Sequence, residues 1–260
     1  MNELKTKIGF SLENKIALIT GGSRGIGRAT ALGFAKAGAD VVVASRKLSD
    51  LEKVVVDVKK CGRESLAISV NITKIENLGE VVKKVTKRFG RIDILINNAG
   101  GSPAISSALD TDELLWDKVM NLNLKGLFFL SQAVARIMKD KGGGKIINIT
   151  SIDGLRPDRN IGVYAISKAG VIMATKVMAK EWARYNIRVN AIAPGHVHTH
   201  LGDSYLSAIP AVKEEILKRT PVGRIAEPDE IVWAMIYMAS DASSFVTGET
   251  LLVDGGILLT

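Results

Sequence analysis

The chain has one cysteine in 260 residues, Cys61, so no intrachain disulfide can form and a reducing, cytoplasmic setting is expected. Aromatic residues make up only 5% of it. No aromatic-interleaved basic patch appears, which argues against the stacking platforms that bind single-stranded nucleic acid. No apolar run has the length of a membrane span, and the most apolar helix candidate still carries Lys168, Lys176 and Lys180. Met1 to Phe10 is interrupted by Glu3, Lys5 and Lys7 and lacks an apolar h-region, so no signal peptide is expected. Repeats and low-complexity segments are missing too, and residues 1–260 are expected to form a single domain. Positive charge is in excess, with a net charge of +8. The basic residues are dispersed, however. Lys83, Lys84, Lys87 and Arg88 share a segment with Val81, Val82 and Val85, the pattern of an amphipathic surface helix with a solvated face. No nucleic-acid or membrane partner is expected, although such a surface attracts anionic cofactors and thioester or phosphate substrates.

With 47% hydrophobic residues the chain can bury a large core. Strand-like runs at Lys15–Thr20, Asp40–Ser45, Ser65–Val70, Ile92–Asn97, Lys145–Thr150, Ile187–Ala193 and Thr250–Val253 alternate with helical patterns. Most are continuously apolar, as parallel strands covered on both faces are. Leu51, Val54, Val55 and Val58 follow the i, i+3, i+4, i+7 spacing of one covering helix. The pattern predicts an α/β fold with a doubly wound parallel sheet.

Two motifs carry chemistry. The first strand runs directly into Gly21-Gly22-Ser23-Arg24-Gly25-Ile26-Gly27 and then a helical stretch through Ala37. Glycines there let the backbone turn tightly and approach a pyrophosphate, whose charge the N–H groups and positive dipole end of the helix would meet. The spacing is G-x-x-x-G-x-G rather than G-x-G-x-x-G. In the second motif Tyr164 and Lys168 stand four residues apart, thirteen and more residues after Ser151, in a segment from Ile161 to Tyr185 without proline and with only Gly162 and Gly170. Helical spacing puts both side chains on one face. An ammonium about 4 Å from a phenol at an effective dielectric of about 20 favours the phenolate by about 4 kcal/mol, which would bring its pKa from about 10 to about 7, where an acid–base catalyst works best.

Thr20 to Gly27, Asn97-Asn98-Ala99-Gly100, Asn123, Ser151, Tyr164-x-x-x-Lys168 and Pro194-Gly195 occur in the order and spacing of the short-chain dehydrogenase/reductases, and the chain resembles that family from about Leu12 to Asp254-Gly255-Gly256. The resemblance implies a Rossmann-type fold of seven parallel strands flanked by helices, with the ligand at the carboxyl ends of the strands. It implies hydride exchange between a nicotinamide and a carbonyl carbon. Ser151 would orient the carbonyl oxygen, Tyr164 would pass the proton, Lys168 would lower the phenol pKa and hold the nicotinamide ribose, and Asn123 would anchor a water for proton relay. Asn121 competes for that last role, but the Asn-x-x-Gly spacing favours Asn123. Around the cofactor the resemblance places Gly21, Ser23, Arg24, Gly25, Ile26 and Gly27 at the phosphates and Asn71 with Ile72 at the adenine, where Asn71 replaces the usual Asp and would meet the amino group through its oxygen. Asn97, Ala99 and Gly100 would lie beside the adenosine ribose, and Pro194, Gly195, Val197 and Thr199 at the nicotinamide.

An NAD site normally puts Asp or Glu about 20 residues past the glycine turn, to bind the ribose 2′-OH. Here that position is Ser45, followed by Arg46, with Arg24 inside the turn. Two guanidiniums could clamp a 2′-phosphate, so NADP(H) is the expected cofactor, with NAD(H) as the alternative. Segments Gly101–Leu109, Ile152–Gly162 and His196–Arg219, the last taken as a substrate loop, would line the pocket. Asp153 stands where relatives commonly carry a small residue, and Arg156 and Arg159 are candidates to meet an anionic substrate. His196, His198 and His200 alternate, but no carboxylate or cysteine completes a metal set, so no metal is expected and one substrate-facing histidine is preferred. Three readings stand: a ketoreductase, best matched to 3-oxoacyl thioesters; a polyol, sugar or other secondary-alcohol dehydrogenase; and a cofactor-binding regulatory protein on the same fold. The helical stretches Leu114–Met138 and Tyr164–Tyr185 resemble the family's dimer-forming helices, and the apolar tail Ile257-Leu258-Leu259 suggests a further contact, so a homotetramer is expected.

Overall fold

The computed structural model describes residues 9–199, 202–203 and 210–260. Strands β1 (Ile16–Thr20), β2 (Asp40–Ser45), β3 (Ser65–Ser69), β4 (Ile94–Asn97), β5 (Gly144–Ile149), β6 (Ile187–Pro194) and β7 (Thr250–Val253) form where the apolar runs place them. They pair in parallel in the order β3-β2-β1-β4-β5-β6-β7. The order reverses between β1 and β4, the switch point beyond whose carboxyl strand ends ligands bind in open α/β sheets.

Both faces of the sheet are covered. Ala17, Ile19, Val41, Val43, Ile94 and Ile96 pack on one side against α1 (Gly25–Lys36), α2 (Leu48–Lys60) and α8 (Pro228–Ala239). The alternate residues Ile16, Leu18, Val42, Ala44 and Leu95 pack on the other side against α3 (Leu78–Phe89), α5 (Gly126–Asp140) and α6 (Gly162–Trp182). Burying each large side chain contributes about 1.5–3 kcal/mol. In α3, Leu78, Val81, Val82 and Val85 are buried while Lys83, Lys84, Lys87 and Arg88 face water, as the pattern predicts. Gly90 then ends the helix at φ 78°, a left-handed conformation glycine adopts without strain. At α8, Pro228 in the first turn and a reciprocal Glu227–Glu230 capping box fix the start.

The expected stretch Leu114–Met138 is not one helix. α4 (Glu113–Met120), capped by Asp112, passes into a π-helical turn at Asn121–Lys125 before α5 begins. Gly126 follows the turn because a Cβ there would lie 2.6 Å from the Ile72 carbonyl oxygen. A last helix, α7 (Pro210–Arg219), precedes α8.

A polar seam crosses the core beneath the switch point. Asn97 and Asn148 are register partners on β4 and β5, and the Asn97 amide donates to Asn148 Oδ1 at 2.9 Å and to Ser131 Oγ on α5 at 2.8 Å. Asn148 in turn donates to Thr175 Oγ1 on α6 at 2.9 Å. All four residues are buried. Thr175→Val should therefore strand the Asn148 N–H and lower stability by about 1–3 kcal/mol, whereas Thr175→Ser should cost about 1 kcal/mol. Denaturant titration separates the two, and a valine variant as stable as the serine variant would count against the seam.

Candidate active site

Close backbone contacts build the glycine turn between β1 and α1. Gly21 has φ 64°, and a Cβ on Gly27 would sit 2.3 Å from the Gly21 carbonyl oxygen, so the helix start presses on the turn as only glycine allows. The first turn of α1 has no acidic residue, and Arg24 at its N-cap supplies no side-chain cap bond. Its N–H groups and positive dipole end are thus left for an anion, which fits the pyrophosphate of a dinucleotide. Ser23 stays half-exposed beside them, while Ile26 packs on the core.

Thr20 and Asn98, to which the sequence reading gives no separate task, lock this turn to the end of β4. Thr20 Oγ1 accepts the N–H groups of Asn98 and Ala99, both at 3.1 Å, and the Asn98 amide donates to the carbonyl oxygens of Thr20 at 3.0 Å and Gly21 at 3.2 Å. Their signal was present in the strand-end threonine and the second asparagine of Asn97-Asn98. Asn97 itself differs from expectation. Its side chain is turned into the polar seam and is 3% exposed, so it props the strand and presents only backbone to the switch point. Gly100 also has another reason to lack a side chain: a Cβ there would lie 3.1 Å from both Asn123 Oδ1 and Lys168 Nζ.

At the end of β2 the Ser45 hydroxyl is buried, with no partner among the described residues. Arg46 is exposed, as is Arg24, and neither guanidinium forms an ion pair or hydrogen bond among the described residues. Ser69 Oγ donates to the Arg46 carbonyl at 2.9 Å and fixes its backbone. Arg46 directly follows the carboxylate-free end of β2, a composition compatible with a 2′-phosphate. Asn71 follows β3, but its oxygen already accepts the Thr73 N–H at 3.1 Å and hydroxyl at 3.0 Å. The amide NH2, a donor, has no partner among the described residues. Ile72 buries its side chain in the core and offers only backbone.

Asn123, Ser151, Tyr164 and Lys168 converge at the ends of β4, β5 and α6. The π-helical turn aims Asn123 inward, where its Oδ1 accepts the Gly101 N–H at 2.8 Å and its Nδ2 donates to Ser167 Oγ at 2.9 Å. Ser167 Oγ donates onward to the Tyr164 carbonyl at 2.7 Å. Asn123's side chain therefore holds the loop to α6, and a relay water would fall to its main chain. Buried Lys168 donates from Nζ to the Ile149 carbonyl at 2.8 Å, and its Nζ lies 5.6 Å from the centre of the Tyr164 ring. Burial pulls the Lys168 pKa down to about 8, with Asp153 opposing. For Tyr164 burial outweighs everything else and pushes the phenol up; Asp153 adds to the rise and Ser151 opposes it. The expected lowering of Tyr164 by Lys168 is thus reversed, because the ammonium is turned to the end of β5 and the half-buried phenol has lost water. Tyr164 is held protonated, ready to give a proton.

Gly195 closes β6 by donating its N–H to Val253 O at 3.0 Å, and Val197 bridges to Ala226. The segment from Pro194 then carries Thr199 back to the glycine turn, its methyl 3.2 Å from where a Gly25 Cβ would be. His198 Nδ1 lies 2.9 Å from Asp203 Oδ1. Burial lowers the pKa of His196, which stands near Asp158 and Arg219. His200 lies outside the described residues. Arg156 is not free for a substrate: it donates to the carbonyl oxygens of Ile257, at 3.1 Å, and Thr260. In the tail, Ile257 is buried and Leu259 exposed.

This fold and this cluster define an NAD(P)-dependent oxidoreductase. The family model described as Enoyl-(Acyl carrier protein) reductase matches residues 21–258. The 2-dehydro-3-deoxy-D-gluconate 5-dehydrogenase of Escherichia coli is 41% identical over 96% of this chain and 97% of its own. The 3-oxoacyl-(acyl-carrier-protein) reductase of Thermotoga maritima is 39% identical over 95% and 99%. A gluconate 5-dehydrogenase from Burkholderia cenocepacia, solved with NADP and tartrate, superposes with a TM-score of 0.92 at 38% identity over 96% of this chain and 98% of that one. The chain belongs to the short-chain dehydrogenase/reductase family, and its activity is the interconversion of ketones and secondary alcohols. Gly27→Ala should weaken nucleotide binding about tenfold or more, since the new Cβ must displace the Gly21 carbonyl. Cofactor fluorescence titration reads this, and binding at wild-type strength would refute the packing argument.

Proposed function

We propose that the chain is an NADP(H)-dependent ketone reductase and secondary-alcohol dehydrogenase whose catalytic residues are Asn123, Ser151, Tyr164 and Lys168. The observation that carries the reading is the convergence of Tyr164 with Ser151 and a buried Lys168 beside a tightly packed glycine turn. NADP(H) supplies the hydride when bound, held by Gly21, Ser23, Gly25 and Gly27 at the phosphates and by Arg24 and Arg46 at the 2′-phosphate. Ser151 orients the ketone oxygen. Tyr164 gives that oxygen a proton as negative charge develops on it. Lys168, cationic below about pH 8, stabilises the phenolate left behind. Asn123 keeps the loop at Gly100 and Gly101 against α6 so that these groups stay in register.

For the substrate, the half-buried carboxyl of Asp153 beside Ser151 favours a small hydroxylated compound, such as a sugar acid or polyol, over a plain acyl chain. The two gluconate dehydrogenases among the relatives support this choice. A 3-oxoacyl thioester is the second reading, supported by the basic surface and the Thermotoga maritima relative. Absorbance of reduced nicotinamide, followed with NADPH or NADH against oxidised sugar acids, diketones and acetoacetyl thioesters, separates them. The expected outcome is a higher kcat/KM with NADPH, fastest on a hydroxylated ketone, and loss of turnover with retained cofactor binding in Tyr164→Phe. A preference for NADH, or substantial activity in the phenylalanine variant, would overturn the corresponding assignment.

We further infer one cytoplasmic domain over residues 1–260, assembled as a homotetramer. Leu114 and Trp116 on α4, Ile166 and Met173 on α6, Trp233 on α8 and Phe245 are exposed apolar side chains, which suits burial in subunit contacts. Light scattering should return four times the chain mass, and a monomer mass would contradict the assembly.

A further inference from the structure

Asp153 is the charged group of the catalytic cluster that the proposed reaction leaves without a task. It lies in the short turn Ile152–Gly154 that follows Ser151. Ser151 Oγ accepts the Asp153 N–H at 3.1 Å and lies 3.0 Å from Asp153 Oδ2. The turn is pinned to α6, since a Cβ on Gly154 would sit 2.8 Å from the Lys168 carbonyl carbon and Thr150 Oγ1 donates to Lys168 O at 2.8 Å. Carboxyl and hydroxyl are thus held as a pair.

A serine hydroxyl has one proton and two lone pairs. One lone pair is taken by the Asp153 N–H. An ionised carboxylate only accepts, so it engages the single Ser151 proton and leaves Ser151 presenting a lone pair to the pocket. A protonated carboxyl donates to that lone pair instead, and the Ser151 O–H is freed. A ketone oxygen needs a donor; an alcohol O–H needs an acceptor. We propose, on the reading of Ser151 as the group that orients the substrate oxygen, that Asp153 is a positioning residue that sets the direction of the Ser151 hydrogen bond. As the acid it turns Ser151 into a donor for ketone reduction, and as the carboxylate it turns Ser151 into an acceptor for alcohol oxidation.

The groups facing Asp153 raise its proton affinity on balance. Burial, the largest influence, and Asp158 from the following loop push its pKa up, while the Ser151 hydroxyl and Lys168 from α6 pull it down. Tyr164, also on α6, adds no charge while its phenol stays protonated, and His196 and Arg219 face Asp158 from the far side. Folding therefore raises the carboxyl's proton affinity. The stability it contributes is present at acid pH and is lost as pH rises from the ordinary carboxylate value through the folded one.

Carbon-13 NMR of protein labelled at the aspartate carboxyls, with Asp153 assigned by Asp153→Asn, tests the pairing without turnover. Asp153 should titrate above the usual carboxylate range, and Ser151→Ala should raise its midpoint further by removing the donor to the carboxylate. A midpoint indifferent to Ser151→Ala would overturn the proposal. In turnover, wild-type kcat/KM for NADPH-dependent reduction should fall about tenfold as pH passes that midpoint, and oxidation should change in the opposite sense. Asp153→Asn, whose side chain cannot ionise, should remove this fall with pH across the same range. An asparagine variant that retains the wild-type fall would also overturn the proposal. A coupled titration in a protein that reduces no ketone would support the pairing and refute the ketoreductase reading instead.

Discussion

The amide of Asn123 is the contact on which the catalytic mouth depends. One side chain binds the loop after β4 through the Gly101 N–H and binds α6 through Ser167, whose hydroxyl continues to the carbonyl of Tyr164. The nucleotide side, the acid–base residue and the joint between α4 and α5 are thereby fixed relative to one another. The amide reaches this position because the helix widens to a π-turn at Asn121–Lys125, a distortion that costs regular hydrogen bonds and is found mostly at functional positions. Gly100 answers it from the other side, leaving room for both Asn123 Oδ1 and Lys168 Nζ.

Within that frame, desolvation and charge compete at Tyr164. A simple Coulomb argument gives the ammonium the upper hand, yet burial wins in the folded protein and the phenol stays protonated. The same burial brings Lys168 down to about 8, so its cation is present near neutrality but not far above it. A protonated donor beside a cation that stabilises the conjugate base is the arrangement a reduction needs. It is also why the carboxyl of Asp153, the nearest group of opposite sign, matters: it raises the pKa of both Tyr164 and Lys168.

The seven strands were legible because fully covered parallel strands are continuously apolar, and their bounds moved by a residue or two at most. The glycine turn and the shared helix face of Tyr164 and Lys168 follow from backbone approach and helical spacing, whereas Ser151 stands out only through the family resemblance. What was hidden depends on where a side chain turns once packed. Asn97 carries the same motif whether its amide faces the switch point or the core, and the need of Asn148 and Ser131 for partners decides for the core. Asn71 looked like an acceptor until Thr73 claimed its oxygen. Arg156 looked free until the last turn of the chain supplied carbonyls. The π-turn has no proline, glycine pair or charge run to announce it.

The proposed NADP(H) preference combines local sequence and packing. A carboxylate at the end of β2 would bind the ribose hydroxyls and repel a 2′-phosphate. Ser45 carries no charge and keeps its hydroxyl unpartnered among the described residues, so it neither repels nor fills the space. Arg24 and Arg46 stand on different elements, one at the start of α1 and one just after β2. Their backbones are set independently, by the start of α1 and by the Ser69 bond to the Arg46 carbonyl. Two cations held apart in this way cost little while solvated and gain most when a doubly charged group bridges them. A ribose hydroxyl offers no such bridge, so the proposed preference rests on charge number rather than on shape.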